Sequence, residues 1–173
     1  MNGRPIVETD RLIVRPLEAG DVEALARLWS DAAATAYMGG PRRFDEVCRS
    51  LQADLALPEP PAFDLWPTIE KASGRLVGHC GLLDKEIEGR PEVELAYVIA
   101  PPAWGRGFAT EAGRAIRDHA LTGLGLRRLV ALIHPDNAAS ERVATKLGFR
   151  LERQVQRPHG LLRLYALAGE SDA

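Results

Sequence analysis

A strand that enters a helix through glycines restricts this chain's fold more than any other feature. In Glu92-Val93-Glu94-Leu95-Ala96-Tyr97-Val98-Ile99, one face carries Val93, Leu95, Tyr97 and Ile99 and the other Glu92, Glu94, Ala96 and Val98, which is the period of a strand. Pro101-Pro102 ends it, because proline has no ladder donor and holds the preceding residue out of the helical region. Trp104-Gly105-Arg106-Gly107-Phe108-Ala109-Thr110-Glu111 follows, and Ala109, Ala112, Ile116 and Ala120 then recur at helical spacing. So small a stripe predicts close packing of helix on sheet. The first turn of a helix offers amide donors without internal partners at the positive end of the macrodipole, and Gly107 and Ala109 leave that backbone unobstructed. The joint suits an anion, most simply a phosphate. A bare G-x-G also serves as a turn that caps a helix and binds nothing, so the surroundings must decide.

The rest of the chain supplies those surroundings. A first strand is expected over 11–15, then a helix opened by Asp21 with Val22, Leu25, Leu28 and Trp29 on one face. After the Gly39-Gly40-Pro41 break, Val47, Leu51 and Leu55 predict a second helix over 45–57. Strands over 62–70 and 75–83 form a hairpin, and the charged stretch 84–91 reads as a second turn. Beyond the long helix, the apolar strand 127–133 is reached by a crossover that makes it parallel to 92–99. Asp136 or Asn137 caps a short helix over 138–147, ended by Gly148, and strands 149–156 and 161–167 close the chain around Arg157-Pro158-His159-Gly160. The expected class is α/β (α+β mixed): a twisted mixed sheet, mostly antiparallel, of six to seven strands with about four helices.

Residues 1–173, 46% hydrophobic and 27% charged, fit a single domain with a sizeable core. A net charge of -2 gives no basic footprint for nucleic acid or an anionic membrane, so neither is expected as a partner. Cys48 and Cys80 stand apart, and none of the four histidines has ligand spacing, so no metal is expected. No stretch has the length of a membrane span or the form of a secretion signal, and a cytoplasmic location is expected.

Two phosphate-binding readings of the glycine joint fail on residues. A nucleoside-triphosphate loop needs a lysine that is not there, and a dinucleotide fold needs a third glycine where Thr110 stands. Three longer phrases point elsewhere. Glu8-Thr9-Asp10-Arg11-Leu12-Ile13-Val14-Arg15-Pro16-Leu17 lies near the start, and Glu94-Leu95-Ala96-Tyr97 precedes Trp104 to Ala112 in the middle. Asn137-Ala138-Ala139-Ser140 runs on to Lys146-Leu147-Gly148-Phe149 near the end. In this order and on these elements, the chain resembles the GNAT acyltransferase superfamily and, within it, the RimJ/RimL-like group.

That resemblance implies a sheet splayed between strands 92–99 and 127–133, with acetyl-CoA in the gap as co-substrate. The superfamily's loop pattern falls on Trp104, Gly107 and Ala109, with tryptophan at a first position that is usually polar but is often Trp in this group. The implied cofactor-binding residues are Val98, Trp104, Gly105, Arg106, Gly107, Phe108, Ala109, Thr110, Asn137 and Ser140. The pyrophosphate would rest on the amides of 106–110, and Arg106 would pair with a phosphate unless it is simply solvated. Asn137 would cap its helix and bind the pantetheine arm.

The implied reaction is N-acetylation of a primary amine, a protein N-terminus or a small molecule, by direct attack on the thioester. Glu94, partly buried, is the expected base, and Glu92 on the same face is its rival; an ion pair with an arginine is the structural alternative for Glu94. Ser140 is the implied proton donor to the leaving thiolate, although serine is also common in a first helical turn, and Tyr165 is a second candidate. Tyr97, facing away from Glu94, reads as core. Neutralising an α-amine of pKa near 8 at pH 7 costs about 1.4 kcal/mol, against about 4.6 for a lysine, so one carboxylate base suits the former. The first two helices and the Arg157 to Gly160 turn are the implied acceptor walls, with Trp29, Tyr37, Met38, Phe44 and Trp66 available to them. A homodimer is compatible with the resemblance. The alternative function is a catalytically silent CoA-binding module.

Overall fold

The computed structural model describes residues 4–158 and 160–168, so His159 of the last turn lies outside the described residues. Strands β1 (Val7–Glu8), β2 (Leu12–Val14), β3 (Leu65–Glu70), β4 (Leu76–Ile87), β5 (Arg90–Ile99), β6 (Arg128–Ile133), β7 (Arg150–Arg157) and β8 (Gly160–Ala168) form one sheet. Its order is β1-β2-β3-β4-β5-β6-β8-β7. Every neighbouring pair is antiparallel except β5 and β6, which the crossover through α3 (Phe108–Asp118) makes parallel. The other helices are α1 (Val22–Ser30), α2 (Phe44–Leu55) and α4 (Ala138–Lys146).

The β5–β6 pair creates the cleft. Glu94 opposite Val130 is the one register partner between them, whereas β4 pairs with β5 from Ile87–Arg90 to Gly78–Ile99 and β6 pairs with β8 along its whole length. Each strand is held by its outer neighbour, and the two diverge from each other beyond Glu94.

Helix α3 lies on one face of the sheet. Phe108, Ala112, Ile116 and Ala120 are buried there with Leu12, Leu95, Ile99 and Leu129, and a side chain the size of Ile116 contributes about 1.5–3 kcal/mol when so buried. A Cβ added at Gly113 would stand 2.8 Å from Leu147 Cδ1, so the end of α4 approaches α3 only over glycine. Helices α1 and α2 cover the other face, where Leu25, Leu28, Trp29, Val47 and Leu51 pack with Val98. The Trp29 indole donates to His79 Nδ1 at 3.0 Å, tying α1 to β4. Burial pushes the His79 imidazole down to about 4, which keeps that nitrogen an acceptor at neutral pH.

Two expectations are corrected. The sheet has eight strands rather than six to seven, because the two-residue β1 is too short to show a period. The 84–91 stretch is not a loop: Asp84 to Ile87 stay in the ladder, and the turn is confined to Glu88 and Gly89, with φ of 52° and 75°. The fully buried Ile87 anchors this extension against Val130, Val155 and Leu164. β7 meets it from across the sheet. Arg157 Nη1 donates to the Glu86 carbonyl at 2.9 Å, and Arg153 Nε lies 3.2 Å from Glu88 Oε2, so the last strand curls back toward the β4–β5 hairpin.

Candidate active site

Gly107 is the N-cap of α3 at φ +80°, a backbone conformation that favours glycine, and no side chain caps the helix start. The amides of its first turn therefore face outward without side-chain acceptors among the described residues. Several groups far away in sequence hold this loop. Glu111 accepts from Thr9 Oγ1 at 2.6 Å, from the Arg11 amide at 3.1 Å and from Arg11 Nε at 2.7 Å, and Arg11 Nη1 donates to the Arg106 carbonyl at 3.0 Å. The Arg11 and Arg106 guanidiniums lie 4.8 Å and 4.5 Å from the Phe108 ring centre. The Trp104 indole donates to the Ile99 carbonyl at 2.7 Å, fixing the loop to the end of β5.

A cavity of about 540 Å³ opens beside this loop. Val98, Trp104, Gly105, Gly107, Phe108, Ala109 and Thr110 line one side, and Asn137 and Ser140 the other. Arg106 departs from expectation. Its guanidinium turns to Glu70, whose carboxyl is held below the usual range by the Ser73 hydroxyl and by Arg106, and it does not line the cavity. Arg142 and Lys146, four residues apart on α4, line the cavity instead. Their i, i+4 spacing on one helix face was the available signal.

Glu94 sits where β5 and β6 part. It is 8% exposed, and its Oε1 accepts from the Leu132 amide at 3.3 Å. Burial raises its pKa, opposed by Lys85, whose Nζ is 3.8 Å from Oε2, by the Leu132 amide and by Arg157. Its rival Glu92 is bound to Arg128 at 3.0 Å. Glu94, Tyr97, Asn137 and Ser140 all line a smaller cavity of about 50 Å³, which shares Tyr37, Met38, Tyr97, Asn137 and Ser140 with the larger one. The two cavities adjoin across these shared side chains, at the place where β5 and β6 part.

Asn137 Oδ1 accepts from the Ser140 amide at 3.1 Å, so Asn137, not Asp136, is the cap, and its amide nitrogen is left as a donor beside the cleft. The Ser140 carbonyl accepts from the Tyr97 hydroxyl at 3.4 Å, which brings the Ser140 side chain and the Tyr97 hydroxyl together at the cleft. Tyr97 is more than core: it packs on the core and lines both cavities, with burial pushing its hydroxyl up to about 12. Tyr165 donates to Glu141 at 3.1 Å and lines neither cavity. Of the apolar residues named for the acceptor walls, Tyr37 and Met38 line both cavities, whereas Trp29 and Trp66 are buried in the core.

A long cleft with outward amides at one end and two cations along α4 fits an extended phosphate-bearing substrate. Residues 11–150 match the acetyltransferase (GNAT) domain family, and the chain belongs to that family. It is 34% identical over 167 residues to the uncharacterized N-acetyltransferase p20 of Bacillus licheniformis, covering 92% of this chain and 86% of that one. A GNAT-family acetyltransferase from Bacillus anthracis superposes with a TM-score of 0.81 at 25% identity, over 94% of this chain and 97% of the other. The spermidine N-acetyltransferase of Vibrio cholerae, solved with CoA and spermine, shares the fold with a TM-score of 0.75 at 19% identity, over 92% and 96% of the two chains. The protein is an acetyl-CoA-dependent N-acetyltransferase.

Proposed function

We propose that the protein acetylates a primary amine, a protein N-terminal α-amine or the amine of a small molecule, by direct attack on acetyl-CoA. The supporting observation is that Glu94 and Ser140 line the same small cavity at the fork of β5 and β6, and that Ser140 and Asn137 also line the cleft beside the uncapped start of α3. The amides of 106–110 hold the pyrophosphate, and Asn137 holds the pantetheine arm.

Glu94 takes the proton from the acceptor nitrogen, directly or through one water. Its raised pKa makes it a better base than an exposed glutamate. As the nitrogen bonds to the acetyl carbonyl carbon and the carbon–sulfur bond breaks, the Ser140 hydroxyl gives its proton to the thiolate and regains one from solvent. The order of amine basicity favours α-amines over lysine side chains, which agrees with a place in the RimJ/RimL-like group. Glu94→Gln tests this reading: kcat falls by about 10²-fold or more while acetyl-CoA affinity, measured by calorimetry, is unchanged. Unchanged turnover would remove Glu94 from the chemistry.

A further inference from the structure

Among the described residues, the small cavity at the fork is lined by a single carboxylate, Glu94, and by no lysine or arginine. That lining balances one ammonium group and leaves a second without a counter-ion, so a polyamine fits it poorly. A singly charged amine with a neutral body fits better, and the neutral polar groups of the lining then tell one such amine from another. Ser140 and Asn137 serve the donor side, and the Tyr97 hydroxyl donates to the Ser140 carbonyl. His134 also lines this cavity, and acetyl transfer as described above makes no use of it.

His134 follows the last residue of β6, on the face that carries Glu94. Glu94 is opposite Val130 in the register, and alternation puts Val130, Leu132 and His134 on one side of the chain. Glu94 accepts from the Leu132 amide, and two further residues carry the chain about 7 Å, to His134. An amine bonded to Glu94 and carrying an oxygen close by can bridge such a gap with one hydrogen bond at each end. The imidazole is held for that task. The Tyr37 ring, from the loop between α1 and α2, lies against it with ring centres 5.2 Å apart and planes inclined by 32°, and the Asp136 amide donates to Nδ1 at 3.2 Å. That bond places the proton of the neutral ring on Nε2. The imidazolium, with Nδ1 3.8 Å from the Asp136 carboxylate, carries a proton on Nε2 as well. In either state Nε2 is a donor.

We propose that His134 selects the acceptor: its Nε2–H binds a neutral carbonyl or hydroxyl oxygen within two carbons of the amine that Glu94 deprotonates. This rests on Glu94 marking the acceptor end of the site, and it goes further by assigning a specificity-determining residue and the group it recognises. Two kinds of acceptor share that chemistry: an α-amino carbonyl compound and an amino alcohol.

The test is kcat/KM, read as CoA release, for two matched pairs of acceptors. Alaninamide is paired with sec-butylamine and ethanolamine with propylamine, the second member of each lacking the oxygen; spermidine is the polyamine. The native protein is compared with His134→Phe, which keeps a ring against Tyr37 but has no N–H, and with His134→Gln, which keeps a donor of similar reach. Following one acceptor across the variants cancels its basicity. His134→Phe is expected to lower kcat/KM about tenfold, through KM, for the oxygen-bearing member of at least one pair and to leave its alkylamine within about twofold. His134→Gln keeps most of the native value, and whichever pair responds names the source. Spermidine is the slowest acceptor of the native protein. Acetyl-CoA affinity, measured by calorimetry, is unchanged in both variants, which also reports that they fold. No loss in His134→Phe, a loss shared equally by both members of each pair, or spermidine as the best acceptor would overturn the selection while leaving Glu94 as base. No transfer to any of these acceptors with acetyl-CoA bound would overturn both readings.

Discussion

On the donor side of the cleft, the backbone from Trp104 to Glu111 is held by a dense set of hydrogen bonds. Thr9 and Arg11 grip Glu111, Arg11 grips the Arg106 carbonyl, Glu70 holds the Arg106 side chain, and the Trp104 indole is bonded to the end of β5. On the acceptor side, Glu94 has one backbone donor at 3.3 Å and a lysine at 3.8 Å, and the walls include the exposed Tyr37 and Met38. One half is fixed and presents backbone; the other is loosely bonded and presents side chains. A rigid amide cradle suits a ligand that never changes, because the donors need no reorganisation when it binds. Side-chain walls suit a partner that differs from one family member to the next, because substitutions there leave the cradle intact.

Variants on the donor side should alter acetyl-CoA affinity alone. The largest effect is expected from Ala109→Leu, which places bulk beside the outward amides and weakens acetyl-CoA binding by up to about 10²-fold, as overpacking of a close contact does. Ala109 is a cleaner probe than Gly107, where valine would strain a φ of +80° by about 1–2 kcal/mol with or without ligand. Calorimetry with acetyl-CoA decides; unaltered affinity would detach the cradle from the donor.

Ser140→Ala comes next and crosses the divide, because Ser140 lines both cavities. Thiolate is a good leaving group, so kcat should fall about tenfold, at the low end for a general acid, with the amine KM little changed. A full rate would leave Ser140 as a first-turn residue of α4 whose amide meets the Asn137 cap.

A smaller change follows from Arg11→Met. Losing its bonds to the Arg106 carbonyl and to Glu111 loosens the loop by about 1 kcal/mol, so acetyl-CoA affinity drops about fivefold while kcat at saturation holds. A fall in kcat instead would mean that the two halves are coupled. The smallest effect is electrostatic. Lys85 lowers the Glu94 pKa, so Lys85→Met raises it further and moves the acid limb of kcat to higher pH. A limb that stays in place would separate Lys85 from Glu94.

The same division decided what could be read from the sequence. The donor loop was legible because its signals are local: a proline stop, Gly107, and small residues at helical spacing. Asn137 and Ser140 were legible as a cap and first turn three residues apart. The Glu70 partner of Arg106 was not legible, because it lies 36 residues away on β3. Glu92 and Glu94 are equivalent by alternation, and only Arg128, on a strand brought alongside by the crossover, separates them. Alternation also sent Tyr97 to the core, since it assigns each residue one side of a closed sheet; where β5 and β6 part, residues of both sides border the same gap. The Asp84 to Ile87 extension was hidden because charged residues at a sheet's end look like a turn until the buried Ile87 is seen to anchor them.

The central claim is that the acceptor half works through Glu94 as a base. It is tested most directly by kcat against pH at saturating acetyl-CoA, for the native protein and for Glu94→Gln. Because Glu94 acts as the carboxylate and burial raises its pKa, kcat should fall as pH drops through a value above the 4.5 of an ordinary glutamate, and Glu94→Gln should lack that limb. The same limb, undiminished, in Glu94→Gln would contradict the account.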